Sequence, residues 1–247
     1  MTEPIVFDDT SVSSENNFQA VKVNNFRAQN VKTAVLIILF SIVCIMSIAA
    51  VVSEIAIMSN LEKLINGSGT AEEINEGVAN IYKFVDGLQS IVFIPALIIF
   101  LFWNYSAYKN LETLNTGCCE HSPWWVVISY FVPIVFLYMP YKHMRQIWKG
   151  SDPNYTDPVG WMDAPSSLLV LFWWLAFLIK TILDFTASAW HKEFPSAESL
   201  YTYMQIKTLA DFTEIFSAVF FVLVIINISR RQKLKMLKLM GIDANAV

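Results

Sequence analysis

The sequence predicts an all-α fold: a polytopic membrane helical bundle of four spanning helices plus one proline-broken segment, re-entrant or interfacial. Three observations carry this. The 247-residue chain is 55% hydrophobic and 15% charged, outside the range of a soluble domain of that length. Five uncharged runs, 33–53, 87–108, 122–141, 164–179 and 215–229, approach the roughly 20 residues that a spanning helix needs. Finally, the 17 Lys and Arg residues sort cleanly only if the third run fails to cross. With all five crossing and the N-terminus inside, the inner side collects 7 and the outer side 10. If the third run returns to its own side, the split is 12 inside and 5 outside, which is the positive-inside pattern.

Three domains are expected: a polar cytoplasmic tail over 1–31, a transmembrane helical domain over 32–229 and a basic cytoplasmic tail over 230–247. The first tail is rich in Asp, Ser and Asn, with little periodicity. Its last part interleaves Phe and Val with Lys and Arg and suits the inner leaflet. A cleaved leader is not expected, because a long polar stretch precedes the first apolar run.

The first run should continue as a helix past Glu54 to Ile65, where Asn66-Gly67-Ser68-Gly69 breaks it. Thr70 and Glu73 then read as a capping box for a second helix. The first two runs thus form a hairpin with an acidic tip. The second run ends in Trp103, Tyr105 and Tyr108 followed by Lys109, an interfacial aromatic belt. Gly117 closes that helix, and Ser122 with Pro123 gives the next an N-cap and a first-turn proline.

Pro133 and Pro140 are the candidate helix breaks in the third run. Each deletes a backbone donor and crowds the carbonyl four residues back, and in lipid that carbonyl needs a partner. A straight crossing of 122–141 is the alternative. After Pro140, Tyr141, Met144 and Trp148 can share one helical face, with Lys142, Arg145 and Lys149 largely opposite, which marks an interfacial helix. The fourth run ends in Lys180 and Asp184, four apart, and the fifth begins after Asp211 and Glu214, three apart. These four residues are the candidate intramembrane charge cluster, with Lys180 and Asp184 paired. Arg230, Arg231, Lys233 and Lys235 form a stop-transfer flank. With Lys142, Arg145 and Lys149 they are the candidate lipid-facing basic set, worth roughly 1 kcal/mol per residue against anionic lipid.

The series Trp103, Ala107-Tyr108, Asn110-Leu111, Gly117, Pro123, Trp125, Pro133, Pro140-Tyr141, Arg145, Trp148, Ser151, Trp161 and Trp173-Trp174 resembles a bacterial membrane family. That family is catalogued as a domain of unknown function, the DUF4328 group, and the resemblance covers about 103–229. It implies a polytopic bacterial membrane protein and carries over no catalytic residue. The chain departs from it at Tyr130 and Phe131, where the family tends to have Trp, and at the bulky Val135 and Phe136.

Chemistry is sparse. Cys118-Cys119-Glu120-His121 is a poor metal set, because adjacent cysteines share one ion awkwardly. Cys44 reads as a small apolar residue. His143 reads as a headgroup-level polar residue and His191 as solvated. No catalytic, cofactor or metal residue is assigned, and the motifs of metalloproteases, α/β-hydrolases and phosphate loops are absent. The ionisable groups read as spread over loops and helix ends, without a common pocket or a polar stripe along a spanning helix.

The reading is a multi-pass protein of the bacterial inner membrane, both termini cytoplasmic, that acts as a non-enzymatic scaffold or accessory subunit. The alternatives are a small transporter or channel with a polar cavity near the outer ends of the last two helices, and a lipid-modifying enzyme. The expected partners are the bilayer, anionic lipid at the cytoplasmic face and a further protein; nucleic acid is not expected, given the net charge of -4, and no cofactor is called for.

Overall fold

The structure, a computed structural model, describes residues 26–69, 76–114, 116, 117, 119–190 and 196–242. Every regular element among them is helical, and four helices are long and apolar enough to cross a bilayer. The expected Thr70–Glu73 capping box, Cys118, His191 and most of the polar tail lie outside the described residues.

Helix α1 (Asn30–Ile65) runs through Glu54 without a break, as a long apolar stretch without glycine or proline allows. At about 1.5 Å per residue it is roughly 54 Å long, more than the ~30 Å of a hydrocarbon core. It ends where Gly67 adopts φ +72°, a left-handed turn that favours glycine. Helix α2 (Glu76–Thr113) returns and contains Pro95. That proline cannot donate to the Ile91 carbonyl, so α2 has a weak point in mid-span.

Helix α3 (Pro123–Ile128) has six residues, with the Ser122 hydroxyl accepting from the Trp125 N–H at 3.2 Å. At about 9 Å it is far too short to cross. Beyond it the chain turns back at Ile134, a β-branched residue at φ 69°, ψ −52°. The Val135 N–H donates to the Pro133 carbonyl at 2.8 Å, closing a γ-turn of the rare, strained hand. A 3-10 turn, Val135–Leu137, leads into helix α4 (Met139–Gly150). Pro133 therefore stands at the break. Pro140 does not: it occupies the first turn of α4, where a missing N–H costs nothing.

The two ends of this segment meet. Lys142 pairs with Glu120 at 2.7 Å, the His121 and His143 rings are 5.4 Å apart, and the Ser129 hydroxyl is 3.4 Å from His143 Nδ1. The segment folds back to its own end of the bundle, as a re-entrant or interfacial segment does, and a straight helix over 122–141 is excluded.

A 3-10 turn at Gly160–Asp163 precedes helix α5 (Leu168–Trp190), and helix α6 (Ala197–Leu239) completes the fold. Ser196 caps α6 in a reciprocal box with Ser199. The expected boundary at 229/230 falls inside α6, so its basic end is a continuation of a spanning helix.

Helix α1 packs against α2 and α6, and α6 packs against α5. Helices α2 and α5 do not pack closely along their length, although Phe100 and Trp173 meet edge-on with centroids 6.5 Å apart. The re-entrant segment fills the cleft between the two helices at one end only, with α3 and α4 on α2 and α4 on α5. There the aromatic core collects, including Phe100, Trp103, Trp173, Trp174 and Phe221. Ile38, Ile45, Ile98, Phe102, Phe172 and Leu223 face outward. Such a surface is a liability in water and is solvated by acyl chains in a bilayer.

Candidate functional site

Along α6, Lys207, Asp211, Glu214 and Ser217 succeed one another at helical spacing and form one inward stripe. Leu209, Phe212 and Phe216 face outward beside them. A polar stripe thus runs along a spanning helix, contrary to the sequence expectation. The expectation fails because the uncharged run begins at Ile215, one residue past the last charged member of the stripe, Glu214.

Helix α5 brings Lys180 and Asp184 to the same level, with Ile179, Ile182 and Phe185 outside. Helix α2 adds Asp86 and Gln89. The four charges read from the sequence do converge. Lys180 lies 2.5 Å from Asp184 and 3.5 Å from Glu214. Lys207, which the sequence reading missed, lies 3.5 Å from Asp211, 3.7 Å from Asp86 and 3.8 Å from Asp184. Its i,i+4 spacing to Asp211 was the available signal. Glu214 also accepts from Ser47 at 3.1 Å and from Gln89.

Behind the stripe stands Glu54 of α1, also missed, with 0% exposure. Its neighbours include Asp211, Thr208 and Lys207, yet neither carboxyl oxygen accepts a hydrogen bond of ordinary geometry. The Thr208 hydroxyl is turned to the Met204 carbonyl instead, at 2.8 Å. Outward neighbours at this level are Ile55, Phe84, Phe185 and Phe212, so the charges sit within the apolar belt of the bundle. Five carboxyl groups (Glu54, Asp86, Asp184, Asp211, Glu214) thus face two lysines. Such a set at low dielectric needs a bound cation or protons on some of the carboxyl groups.

These side chains, Glu54 apart, line a cavity of about 670 Å³ in the open end of the cleft, between α2, α5 and α6. A second cavity of about 340 Å³ adjoins it toward the bundle centre, and Phe93, Lys180, Asp184 and Glu214 border both. Its walls are largely aromatic: Phe40, Phe100, Tyr130, Trp173, Phe177 and Phe221. Phe100 meets Tyr130 edge-on at 5.2 Å and Phe221 at 5.2 Å.

Beyond these aromatics the bundle is closed. Thr33 and Ser229 share a hydrogen bond of 2.7 Å, and the Trp103 indole donates to Thr33 at 3.1 Å. Asn110 donates to Gln232 at 2.9 Å, and Gln232 to the Ala107 carbonyl at 2.8 Å. The Trp174 indole donates to the Leu137 carbonyl at 3.3 Å, satisfying an acceptor of the broken segment.

The expected lipid-facing basic set divides. Arg230 and Lys233 are exposed. Arg145 bonds Ser166 at 2.9 Å, Lys149 bonds the Met162 carbonyl at 2.8 Å, and Lys142 holds Glu120 well below the usual carboxylate range. Two members are turned inward, which corrects the expectation. Arg231 pairs with Asp152 and covers the Trp148 ring at 4.5 Å. Lys235 is fully buried and donates to the Gly150 carbonyl at 2.8 Å. Because α6 packs on the loop after α4, the inner face of its basic end has protein to bind.

His143 also departs from its expected place. It is fully buried in α4, beside Met144 and Ile147. Burial, then His121 and Lys142, push its imidazole down to about 4.

No curated protein and no solved structure matches the chain. The profile described as Domain of unknown function (DUF4328) matches residues 68–230. The match begins well before the expected position 103 and takes in Asp86, Lys180, Asp184, Lys207, Asp211 and Glu214, while Ser47 and Glu54 of α1 precede it. With well over half of its length matched, the chain belongs to the DUF4328 family, a family of unknown function.

Proposed function

We propose that this protein is a small membrane transporter that binds a cationic solute in the charged cavity between α2, α5 and α6. One observation carries the reading: five carboxyl groups and two lysines from four helices converge at one cavity, with neither oxygen of Glu54 accepting a hydrogen bond of ordinary geometry. A purely structural lock would be expected to balance its charges, because each uncompensated buried charge costs several kcal/mol. Excess negative charge around a cavity suits a site that a cation enters.

The lysines give the site a resting state. Lys180 bridges Asp184 and Glu214 and stands in for the solute's ammonium when the cavity is empty. An arriving cation takes over one carboxylate, and Lys180 keeps the other. The polar bonds at Thr33, Asn110 and Gln232 form the closed gate, and the cavity end is the open one. Pro95 in α2 and the turn at Ile134 are the points at which the two ends can move separately.

The organism class and orientation belong to the same reading. With the third run re-entrant, the 12-to-5 division of Lys and Arg favours a bacterial cytoplasmic membrane with both termini inside. In a cysteine-free background, a cysteine at exposed Asn154 should be shielded from an impermeant external thiol reagent, and one at Ser68 should react. The reverse pattern would invert the orientation.

The function is tested by electrometry on proteoliposomes given a concentration jump of ethylammonium or of sodium. One of the two should give a transient current that empty liposomes lack and that Glu214→Gln abolishes. Folded wild-type protein that gives no current with either cation would contradict the reading.

A further inference from the structure

The charged cavity does not stand alone. It adjoins the aromatic one, and Lys180, Asp184 and Glu214 border both. We infer that the solute is an amphipathic organic amine, its ammonium held at Glu214 and Asp184 and its apolar body seated among the aromatics beside Phe100 and Phe221. This rests on the transporter reading and names the solute class.

Three features argue for it. First, the aromatic cavity, at about 340 Å³, is more than twice the roughly 150 Å³ that accommodates benzene in a protein core. A hydrated metal ion or a small inorganic cation would leave it empty. Second, the acids are strung along the cavity wall; among the described residues no three His, Cys, Asp or Glu side chains are arranged as metal ligands. Ring faces next to carboxylates suit an ammonium on an apolar stem. Third, the cavity lies in the cleft where α2 and α5 do not pack closely, with Phe93 and Ile94 exposed at its rim. A solute dissolved in the leaflet reaches it sideways without crossing a polar surface. Headgroups bearing phosphate are disfavoured by the surplus of carboxylates.

Calorimetric titration of the purified protein tests this with 4-phenylbutylammonium, ethylammonium and neutral 4-phenylbutanol. The aromatic amine should bind at least about tenfold more tightly than either of the others, because it alone fills both cavities. Ala218→Leu, which fills the apolar cavity that Ala218 lines, should weaken 4-phenylbutylammonium at least about fivefold and leave ethylammonium unchanged. Glu214→Gln should weaken both amines. Equal binding of the two amines to wild-type protein, or of the amine and the alcohol, overturns the inference, and neither result depends on any variant folding. Ethylammonium binding without that preference leaves the transporter reading standing. Failure of both amines to bind, together with absent currents, removes both.

Discussion

Glu54 of α1 is buried against Asp211 of α6, and neither oxygen of Glu54 accepts an ordinary hydrogen bond. Two carboxyl groups placed together in the apolar belt demand a cation or a proton between them. Glu54→Gln supplies an amide donor facing Asp211 and removes one negative charge. It should raise stability in detergent by about 1–2 kcal/mol and weaken amine binding. Thermal unfolding and titration of the same sample check both. A variant less stable than wild type would show Glu54 to be a structural element with no part in a cation site.

Lys180 is the hub of the cavity's other half, within reach of Asp184 and Glu214. Lys180→Met leaves Asp184 to Lys207 at 3.8 Å and Glu214 to the neutral donors Ser47 and Gln89, and should cost about 2–3 kcal/mol. The lower figure applies because Asp184 keeps 32% side-chain exposure. Adding Asp184→Asn should recover part of the loss, and adding Glu214→Gln most of it. Equal unfolding temperatures for the single and triple variants would remove the network from the account.

Much of this fold was legible in the sequence, for identifiable reasons. Long uncharged runs specify the apolar parts of α1, α2, α5 and α6, Ser122 with Pro123 the start of α3, and the division of Lys and Arg pointed to a third run that does not cross. What was not legible is which groups converge. Glu54 lies in an otherwise apolar stretch of α1, and neither it nor Lys207 shares a sequence spacing with Asp86 or Lys180; only the packing of α1 on α6 and the loose contact of α2 with α5 bring them together. Pro140 read as a break because its position relative to a helix start depends on where the preceding turn ends. His143, Arg231 and Lys235 were placed at the surface because a basic amphipathic pattern does not show that the neighbouring loop covers its polar face.

The buried His143 makes stability depend on pH with a definite sign. Its imidazole is held at about 4, chiefly by burial, below the value of about 6.5 that it has in an unfolded chain. Its contribution is therefore complete above pH 6.5 and is lost as pH falls toward 4. At pH 5 the loss should reach about 2 kcal/mol. His143→Gln stays neutral and should show that much less loss between pH 7.5 and pH 5. Parallel pH profiles for the two proteins would contradict the burial of a neutral ring.

Ile134 holds the γ-turn between α3 and α4 at positive φ while 84% of its surface is exposed. A β-branched residue in that region costs about 1–2 kcal/mol, and little packing offsets it. Ile134→Gly should therefore leave stability unchanged or raise it by up to about 1 kcal/mol, the gain being limited by the entropy of the unfolded glycine. Ile134→Val, which keeps the branch, should bring no gain. A large loss on introducing glycine would show that the turn is not strained.

The most direct test of the central claim is exchange of radiolabelled ethylammonium across proteoliposomes that hold unlabelled ethylammonium inside. A transporter whose cavity binds the cation within the bundle should accumulate label well above protein-free liposomes, with Glu214→Gln and Asp184→Asn reduced to that background. Label uptake indistinguishable from protein-free liposomes, in wild-type protein of normal unfolding temperature that also gives no sodium current, would contradict the account.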